Sequence, residues 1–240
     1  MKWEPLGKNL KVLVSKEHTF NTDTLILAYF SKPSKNDICA DFGTGCGTIA
    51  LLWKYRVNPK QIYAVELQKD AYNQAKISIK ENNFESLHLI NNNINNYKDI
   101  FKHGSLSHIA CNPPYKAVKS GIKNNIDNMR IARHEDELSL CELAKAVAYS
   151  LKFGGKFYIC QRPERLTDVM TIFREKGIEP KKLQLVQQST LKAPSLFLLE
   201  CVRGGKSGLS IMPNLIIEEN GKYTDKMTEI YGDYMEGRDD

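Results

Sequence analysis

From residue 37 onward, short apolar runs typical of buried strands alternate with segments in which apolar residues recur at helical spacing. The clearest helical stripe places Ala71, Ala75 and Ile79 four residues apart. Strands that alternate with helices connect through right-handed crossovers into a mostly parallel sheet covered on both faces. The sequence therefore predicts an α/β fold with a Rossmann-like, open, mostly parallel sheet of seven strands.

The last two strands of this sheet are expected to differ from the others. Leu183–Gln187 and Ser195–Val202 follow each other with too few residues between them for a helix, so we expect a C-terminal antiparallel hairpin. The chain is interpreted as a single domain with an N-terminal extension (1–36), a core (37–203) and a C-terminal tail (204–240). The other predicted strands are Asp37–Phe42, Gln61–Leu67, Leu87–Ile90, Ser107–Cys111, Lys156–Gln161 and one in the tail at Leu215–Glu218, and the predicted helices are Thr48–Arg56, Lys69–Asn83, Leu140–Leu151 and Arg162–Lys176.

Composition excludes several classes of protein. Hydrophobic residues make up 42% of the chain, enough for a sizeable core, and no apolar stretch approaches the roughly 18 residues of a membrane span. Residues 1–5 lack the apolar run of a secretory signal. The six cysteines show no metal-ligand spacing, and Cys39, Cys111, Cys160 and Cys201 lie in apolar runs that favour buried thiols. We therefore expect a cytoplasmic protein without a membrane or metal partner.

The charge is unevenly distributed along the chain. The net charge is +6, but residues 218–240 hold eight acids and three bases, a balance of −5 that leaves +11 for residues 1–217. A positive charge of this size over most of the chain favours a polyanionic partner such as a nucleic acid, although lysine-rich surfaces also increase solubility. Charge alone leaves the partner open.

A glycine-rich loop follows the first predicted strand of the core. Asp41-Phe42-Gly43-Thr44-Gly45-Cys46-Gly47 has the spacing D-x-G-x-G-x-G, and glycines there let bare backbone N–H groups approach a ligand. A dinucleotide fingerprint would need glycine at Thr48, and the Gly-Lys-Ser/Thr of a phosphate loop is absent. Asp41 beside a helix N-terminus suits a cationic ligand better than a phosphate. A tight turn from strand to helix is the alternative reading of this loop taken alone.

Two polar residues at the ends of the next strands favour a nucleoside ligand. Glu66 ends the second strand of the core, 23 residues after Gly43, where an acid can accept both hydroxyls of a ribose. Leu67 follows it, and Asn93, after the third strand, could hydrogen-bond the edge of an adenine.

The sequence Asn112-Pro113-Pro114-Tyr115 follows the apolar run 108–111, where a buried strand gives way to a loop. The two prolines stiffen the loop and fix its carbonyls. The Asn112 side chain offers a carbonyl acceptor and Tyr115 offers a flat face. This set suits a planar amino group, with two acceptors for its two hydrogens and an aromatic ring for stacking. The alternative interpretation is a rigid turn or a proline-motif ligand, without catalytic function.

With these motifs, residues 37–202 resemble a class I S-adenosylmethionine-dependent methyltransferase of the branch that methylates amino groups. Within it, the chain most resembles the bacterial tRNA1(Val) (adenine-37-N6)-methyltransferase family. The closer resemblance rests on three segments, namely residues 20–28 (FNTDTLILA), 130–135 (RIARHE) and 215–223 (LIIEENGKY).

The resemblance implies the cofactor, the substrate and a role for each motif. S-adenosylmethionine is the expected methyl donor, and adenine 37 in the anticodon loop of a valine tRNA is the expected target. Asn112, Pro113, Pro114 and Tyr115 are the expected catalytic residues, in a protein expected to be a monomer. The expected cofactor-binding residues are Thr22, Asp23, Asp41, Gly43, Gly45, Gly47, Glu66, Leu67, Asn93 and Asn112, and the expected RNA-binding residues are Lys116, Lys119, Lys123, Arg130, Arg133 and His134. Related enzymes carry Asp at the position of Asn93.

Three alternatives to this function stay open. A methyltransferase of the glutamine N5 amide in a protein such as a release factor needs the same grip, but it carries a helical N-terminal domain, and only 36 residues precede the core here. A DNA-adenine methyltransferase would need an added target-recognition domain. A non-catalytic RNA-binding protein on the same fold would lack affinity for S-adenosylmethionine.

Overall fold

A computed structural model describes residues 1–113 and 140–232 of the chain. Its strands are β1 (Lys2–Gly7), β2 (Leu10–Val14), β3 (Ile38–Phe42), β4 (Gln61–Glu66), β5 (His88–Asn91), β6 (Leu106–Cys111), β7 (Leu151–Gln161), β8 (Ile178–Gln187), β9 (Leu196–Arg203), β10 (Ser210–Ile211), β11 (Leu215–Ile216), β12 (Glu218–Glu219) and β13 (Lys222–Tyr223). Its α-helices are α1 (Thr22–Phe30), α2 (Thr48–Arg56), α3 (Lys69–Glu81), α4 (Tyr97–Ile100), α5 (140–150), α6 (Leu166–Glu175) and α7 (Asp225–Tyr231).

One large sheet organises this part of the chain, with the strand order β10-β8-β9-β7-β6-β3-β4-β5 and β11 also paired with β8. Strand β9 runs antiparallel to β7 and β8, and the other pairings in the sheet are parallel. The predicted α/β class, the open and mostly parallel sheet, and the C-terminal antiparallel hairpin are confirmed. Short β10 and β11 lengthen the sheet beyond the seven predicted strands.

The central strands are buried on both faces, which explains their continuous apolar sequences. All six residues of β6 are buried, and four of the five in β3. Helices α1 and α2 cover one face, where the fully buried Trp53 donates from its ring nitrogen to the carbonyl of Ala28 at 3.3 Å. Helices α5 and α6 cover the other face, where Phe157 and Phe173 stack with ring centroids 4.6 Å apart. Two apolar layers thus hold the strands whose ends form the site.

The N-terminal hairpin of β1 and β2 attaches to α3 through polar side chains of the helix. Ser78 accepts from the amide of Leu13 at 2.9 Å, and Asn82 bonds both the amide and the carbonyl of Lys11, at 3.1 and 2.7 Å. These bonds satisfy backbone groups on the outer edge of β2 that would otherwise need a partner strand. The hairpin belongs to residues 1–36, for which the sequence indicated no strand.

Several boundaries differ from the sequence prediction, among them the start of β8, at Ile178 rather than Leu183, and the start of α6, at Leu166 rather than Arg162. Strand β7 begins at Leu151 rather than Lys156, because residues 152–155 bulge out of the ladder between the pairs Leu106–Leu151 and His108–Lys156. Gly154 has φ +75° in this bulge, so the glycines that were expected to end α5 lie inside a strand. Residues 204–232, expected to hold one strand, contribute β10 to β13 and α7.

The cysteine prediction is confirmed for Cys39, Cys111, Cys160 and Cys201, which are all buried. Burial raises the pKa of the Cys39, Cys111 and Cys201 thiols, so they stay protonated and unreactive at neutral pH. Among the helices within residues 1–113 and 140–232, none is both long enough and apolar enough to cross a bilayer.

Candidate active site

The motif residues meet at the carboxyl edge of the sheet. Phe42 at the end of β3 pairs with Cys111 of β6 on one side and Val65 of β4 on the other. The next residues along these three strands are Asn112, Gly43 and Glu66, so they form a row across the edge. Neighbouring strands lie about 4.8 Å apart, which puts Asn112 and Glu66 roughly 10 Å from each other. The glycine loop therefore lies between Asn112, the predicted acceptor for the target amine, and Glu66, the predicted ribose-binding acid.

The glycine loop turns back over the end of β4. The amides of Gly43 and Thr44 both donate to the carbonyl of Val65, at 2.9 and 3.0 Å. Gly43 and Gly45 have φ of +75° and +57°, in the left-handed region that side chains disfavour. A Cβ at either position would have no atom of the described residues within 4 Å, so within this part of the chain the loop presents bare backbone. This surface can accept a flat ligand.

Glu66 fastens the glycine loop to the turn after β4. Its Oε2 accepts from the amide of Gly45 and its Oε1 from the amide of Gln68, both at 2.8 Å. The side chain is buried, and each carboxylate oxygen has lone pairs for more than one donor. Two ribose hydroxyls could therefore donate to a carboxylate that the backbone already holds in place.

Asp41 carries a buried carboxylate with one oxygen unmatched. Its Oδ2 accepts from the hydroxyl of Thr44 at 2.5 Å, and none of the described residues hydrogen-bonds its Oδ1. Burial, together with the negative charge of Glu66, raises the pKa of Asp41 to about 7, against the lowering effect of the Thr44 hydroxyl and the Ala50 amide. The charged form of such a buried carboxylate is destabilised, and a cationic ligand group beside it would stabilise the charge.

The first turn of α1 lies against the predicted catalytic asparagine. The side-chain nitrogen of Asn112 donates to the hydroxyl of Thr24 at 3.1 Å. Thr22 and Asp23, predicted to bind the cofactor, occupy the two helical positions before Thr24, with Asn21 as the N-cap. Backbone N–H groups at a helix N-terminus favour anions, so this turn suits the carboxylate of an amino-acid ligand.

The predicted adenine side of the pocket lies beyond β4. Asn93 caps a short 3-10 helix, Ile94–Asn96, by accepting from the amide of Asn95 at 2.9 Å. The cap uses one lone pair of this oxygen, so both the oxygen and the side-chain nitrogen can bond a ligand. Leu67 is 61% exposed at the same edge, and an exposed leucine there offers an apolar surface to a ring.

The predicted site residues after Pro113, in the rest of the motif and in the basic loop that follows it, lie outside the described residues. Those residues are Pro114, Tyr115, Lys116, Lys119, Lys123, Arg130, Arg133 and His134. Their roles remain predictions from sequence.

The sequence prediction of the site omitted the backbone amide of Gln68 and two side chains at the start of α1, those of the N-cap Asn21 and of Thr24. Asn21 precedes a helical run and could have been predicted as an N-cap. Thr24 is 88 residues from Asn112, and no local pattern predicts that contact.

An open α/β sheet with a glycine loop, a fixed acid and an amide at its carboxyl edge is the arrangement expected of a methyltransferase. The family model for the methyltransferase small domain matches residues 10–139, more than half of the chain. The chain belongs to this family.

Relatives and solved structures agree with this assignment. A tRNA1(Val) (adenine(37)-N6)-methyltransferase from Photobacterium profundum is 23% identical over 217 residues, covering 89% of this chain and 90% of the relative. An enzyme of the same name from Pseudoalteromonas translucida is 32% identical over 137 residues, 57% of each chain. These matches confirm the resemblance stated from sequence. The crystal structure of a predicted O-methyltransferase from Agrobacterium tumefaciens shares the fold, with a TM-score of 0.71 and 14% identity over 88% of this chain and 96% of that one.

Proposed function

We propose that this chain transfers a methyl group from S-adenosylmethionine to the exocyclic N6 amino group of adenine 37 in the anticodon loop of a valine tRNA. The observation that carries the proposal is the position of Asn112 beside the glycine loop, at the end of the strand next to β3. The acceptor for the target amine and the pocket for the methyl donor are therefore neighbours at the carboxyl edge of the sheet. The names of the relatives support tRNA as the substrate.

The described residues fit S-adenosylmethionine. The bare backbone at Gly43 and Gly45 leaves room for the donor, and the Glu66 carboxylate suits the two ribose hydroxyls. The buried Oδ1 of Asp41 suits the ammonium of the methionine part, and the first turn of α1 suits its carboxylate. When bound, this cofactor supplies an electrophilic methyl group on a sulfonium.

An exocyclic amine on a purine is a weak nucleophile because its lone pair is delocalised into the ring. Asn112 Oδ1 and the Pro113 carbonyl each accept one amino hydrogen, which directs the lone pair away from the ring plane. The same two acceptors stabilise the positive charge that grows on nitrogen during the transfer. Holding the two reactants in line contributes the rest, in favourable cases about 7–11 kcal/mol. The methylated nitrogen then loses its proton to water, so a strong base is unnecessary.

The target must leave its stack before it can reach this edge. A base in a tRNA anticodon loop is already accessible, and flipping it out costs little compared with opening a duplex. The basic residues from Lys116 to His134 are proposed to hold the phosphates around it. The net charge of +11 on residues 1–217 supports a polyanionic substrate.

Methyl transfer from labelled S-adenosylmethionine to separate pools of tRNA, ribosomal RNA and release factor tests this function. We expect label in tRNA alone, as N6-methyladenosine after digestion. Label only in release factor would overturn the proposed substrate in favour of a protein amide. No S-adenosylmethionine binding by calorimetry would overturn the enzyme assignment itself.

A further inference from the structure

We propose that Thr24 is a positioning residue that fixes which end of the Asn112 carboxamide faces the target amine. This inference rests on the proposed function and deepens it. A carboxamide has a donor end and an acceptor end of nearly equal size, and only the oxygen can accept a hydrogen from an amino group. A catalytic asparagine therefore needs a neighbour that distinguishes the two ends.

Hydrogen-bond donors and acceptors along α1 make this distinction. The side-chain nitrogen of Asn21 donates to the Asp23 carboxylate at 3.3 Å, and its oxygen accepts from the backbone amide of Thr24 at 3.1 Å. A carboxylate can only accept a hydrogen bond and a backbone N–H can only donate one. These two partners therefore fix which end of the Asn21 side chain is the nitrogen and which is the oxygen. The Asn21 oxygen also accepts from the Thr24 hydroxyl at 3.1 Å.

The hydroxyl of Thr24 has a single proton, and that proton is directed at Asn21. Its oxygen can therefore only accept from Asn112, 3.1 Å away, and the group it accepts from must be the side-chain nitrogen. The oxygen of Asn112 is consequently the end that accepts from the target amine. The orientation of the catalytic amide is thus set by the N-cap of α1 through Thr24, which lies 88 residues before Asn112 in the chain.

Thr24→Val tests this arrangement, because it removes the hydroxyl and keeps the shape and the backbone amide that Asn21 caps. Without the hydroxyl, the Asn112 nitrogen loses the Thr24 acceptor, which weakens the preference for the orientation that points the Asn112 oxygen at the substrate NH₂. We expect kcat for tRNA methylation to fall between about 10-fold and 100-fold, as misplacement of a reacting group does. The Kd for S-adenosylmethionine and the KM for tRNA should stay within about threefold of wild type, because binding is not what the hydroxyl controls.

Thr24→Ser restores the hydroxyl and should return kcat to near the wild-type value, and Thr24→Ala should reproduce the defect of Thr24→Val if the bulkier variant folds poorly. The matched control is Thr228→Val on α7, which removes an exposed helical hydroxyl bonded to the Thr224 carbonyl. It should leave kcat unchanged. Thermal unfolding of each variant reports on folding.

Wild-type kcat in Thr24→Val, or an equal loss in Thr24→Ser and Thr24→Val, would overturn the positioning role. These outcomes differ from failure of the proposed function, in which the wild-type enzyme methylates no tRNA. If the wild-type enzyme methylates a protein amide instead, the same Ser and Val comparison on that substrate decides the role of Thr24, since an amide NH₂ needs the same acceptor.

Discussion

The carboxylate of Glu66 accepts a 2.8 Å hydrogen bond from the amide of Gly45, so the residue expected to bind ribose also holds the glycine loop in place. Its second oxygen accepts from the amide of Gln68. The proposed donor binding and the loop geometry are therefore coupled through one side chain. A ligand that adds donors to this carboxylate meets a site that is already formed.

Glu66→Gln should weaken both the loop and donor binding. The glutamine amide has one oxygen, so one of the two backbone N–H groups would face an NH₂ and lose its acceptor, at a cost of about 1–3 kcal/mol. We expect the Kd for S-adenosylmethionine to rise at least tenfold, roughly 1.4 kcal/mol, in calorimetry. The exposed Glu85→Gln is the control, and equal affinities in both variants would contradict a role for Glu66 in binding.

Gly45→Ala and Gly177→Ala separate backbone strain from ligand contact. Both glycines have positive φ, +57° and +74°, and a Cβ at either meets no atom within 4 Å among residues 1–113 and 140–232. Each substitution should therefore lower the free energy of unfolding by about 1–2 kcal/mol. Only Gly45→Ala should also reduce S-adenosylmethionine affinity, because Gly177 lies at the opposite edge, before β8. Equal affinities in the two variants, measured with denaturation curves alongside, would show that the donor does not approach Gly45.

Asp41→Asn should stabilise the protein in a pH-dependent way. The pKa of Asp41 is about 7 in the folded chain against an ordinary value of 3.8, so the folded state binds more protons between these limits. The contribution of Asp41 to stability therefore falls as pH rises from about 4 to 7, and the loss is complete above 7. We expect the variant to be more stable than wild type by about 2–4 kcal/mol at pH 8 and by little at pH 4.

Urea denaturation at several pH values, with exposed Asp99→Asn as the control, measures this difference. A stability difference that does not change between pH 4 and pH 8 would contradict the buried, raised-pKa carboxylate. The same variant should bind S-adenosylmethionine more weakly than wild type at pH 8, because it lacks the charge that faces the ligand ammonium.

The fold and the edge of the sheet could be predicted because they depend on local patterns. Each of these patterns lies within a short stretch of sequence. They are the periodicity of strands and helices, the glycine spacing, and the strand ends at Glu66 and Asn112. The bulge at residues 152–155 could not be predicted, because Gly154-Gly155 is equally typical of a helix end. The contact of Thr24 with Asn112 depends on how α1 packs, and the bonds from Asn82 to Lys11 depend on how α3 meets the hairpin.

Asn112→Ala should separate chemistry from binding. The variant loses an acceptor for the amino hydrogens, so methyl transfer should fall by at least about 100-fold, the scale of removing one stabilising group from a transition state. S-adenosylmethionine affinity should stay within a few-fold of wild type if Asn112 acts mainly on the target amine. Near wild-type turnover would refute its catalytic role. Single-turnover kinetics with saturating donor make this comparison.

The most direct test uses an unmodified valine tRNA transcript and a matched transcript in which adenine 37 is replaced by guanine. With labelled S-adenosylmethionine and wild-type enzyme, we expect one methyl group per unmodified transcript, located on N6 of adenine 37, and none on the altered transcript. Equal labelling of both transcripts, or methylation of a ring nitrogen instead of N6, would contradict it.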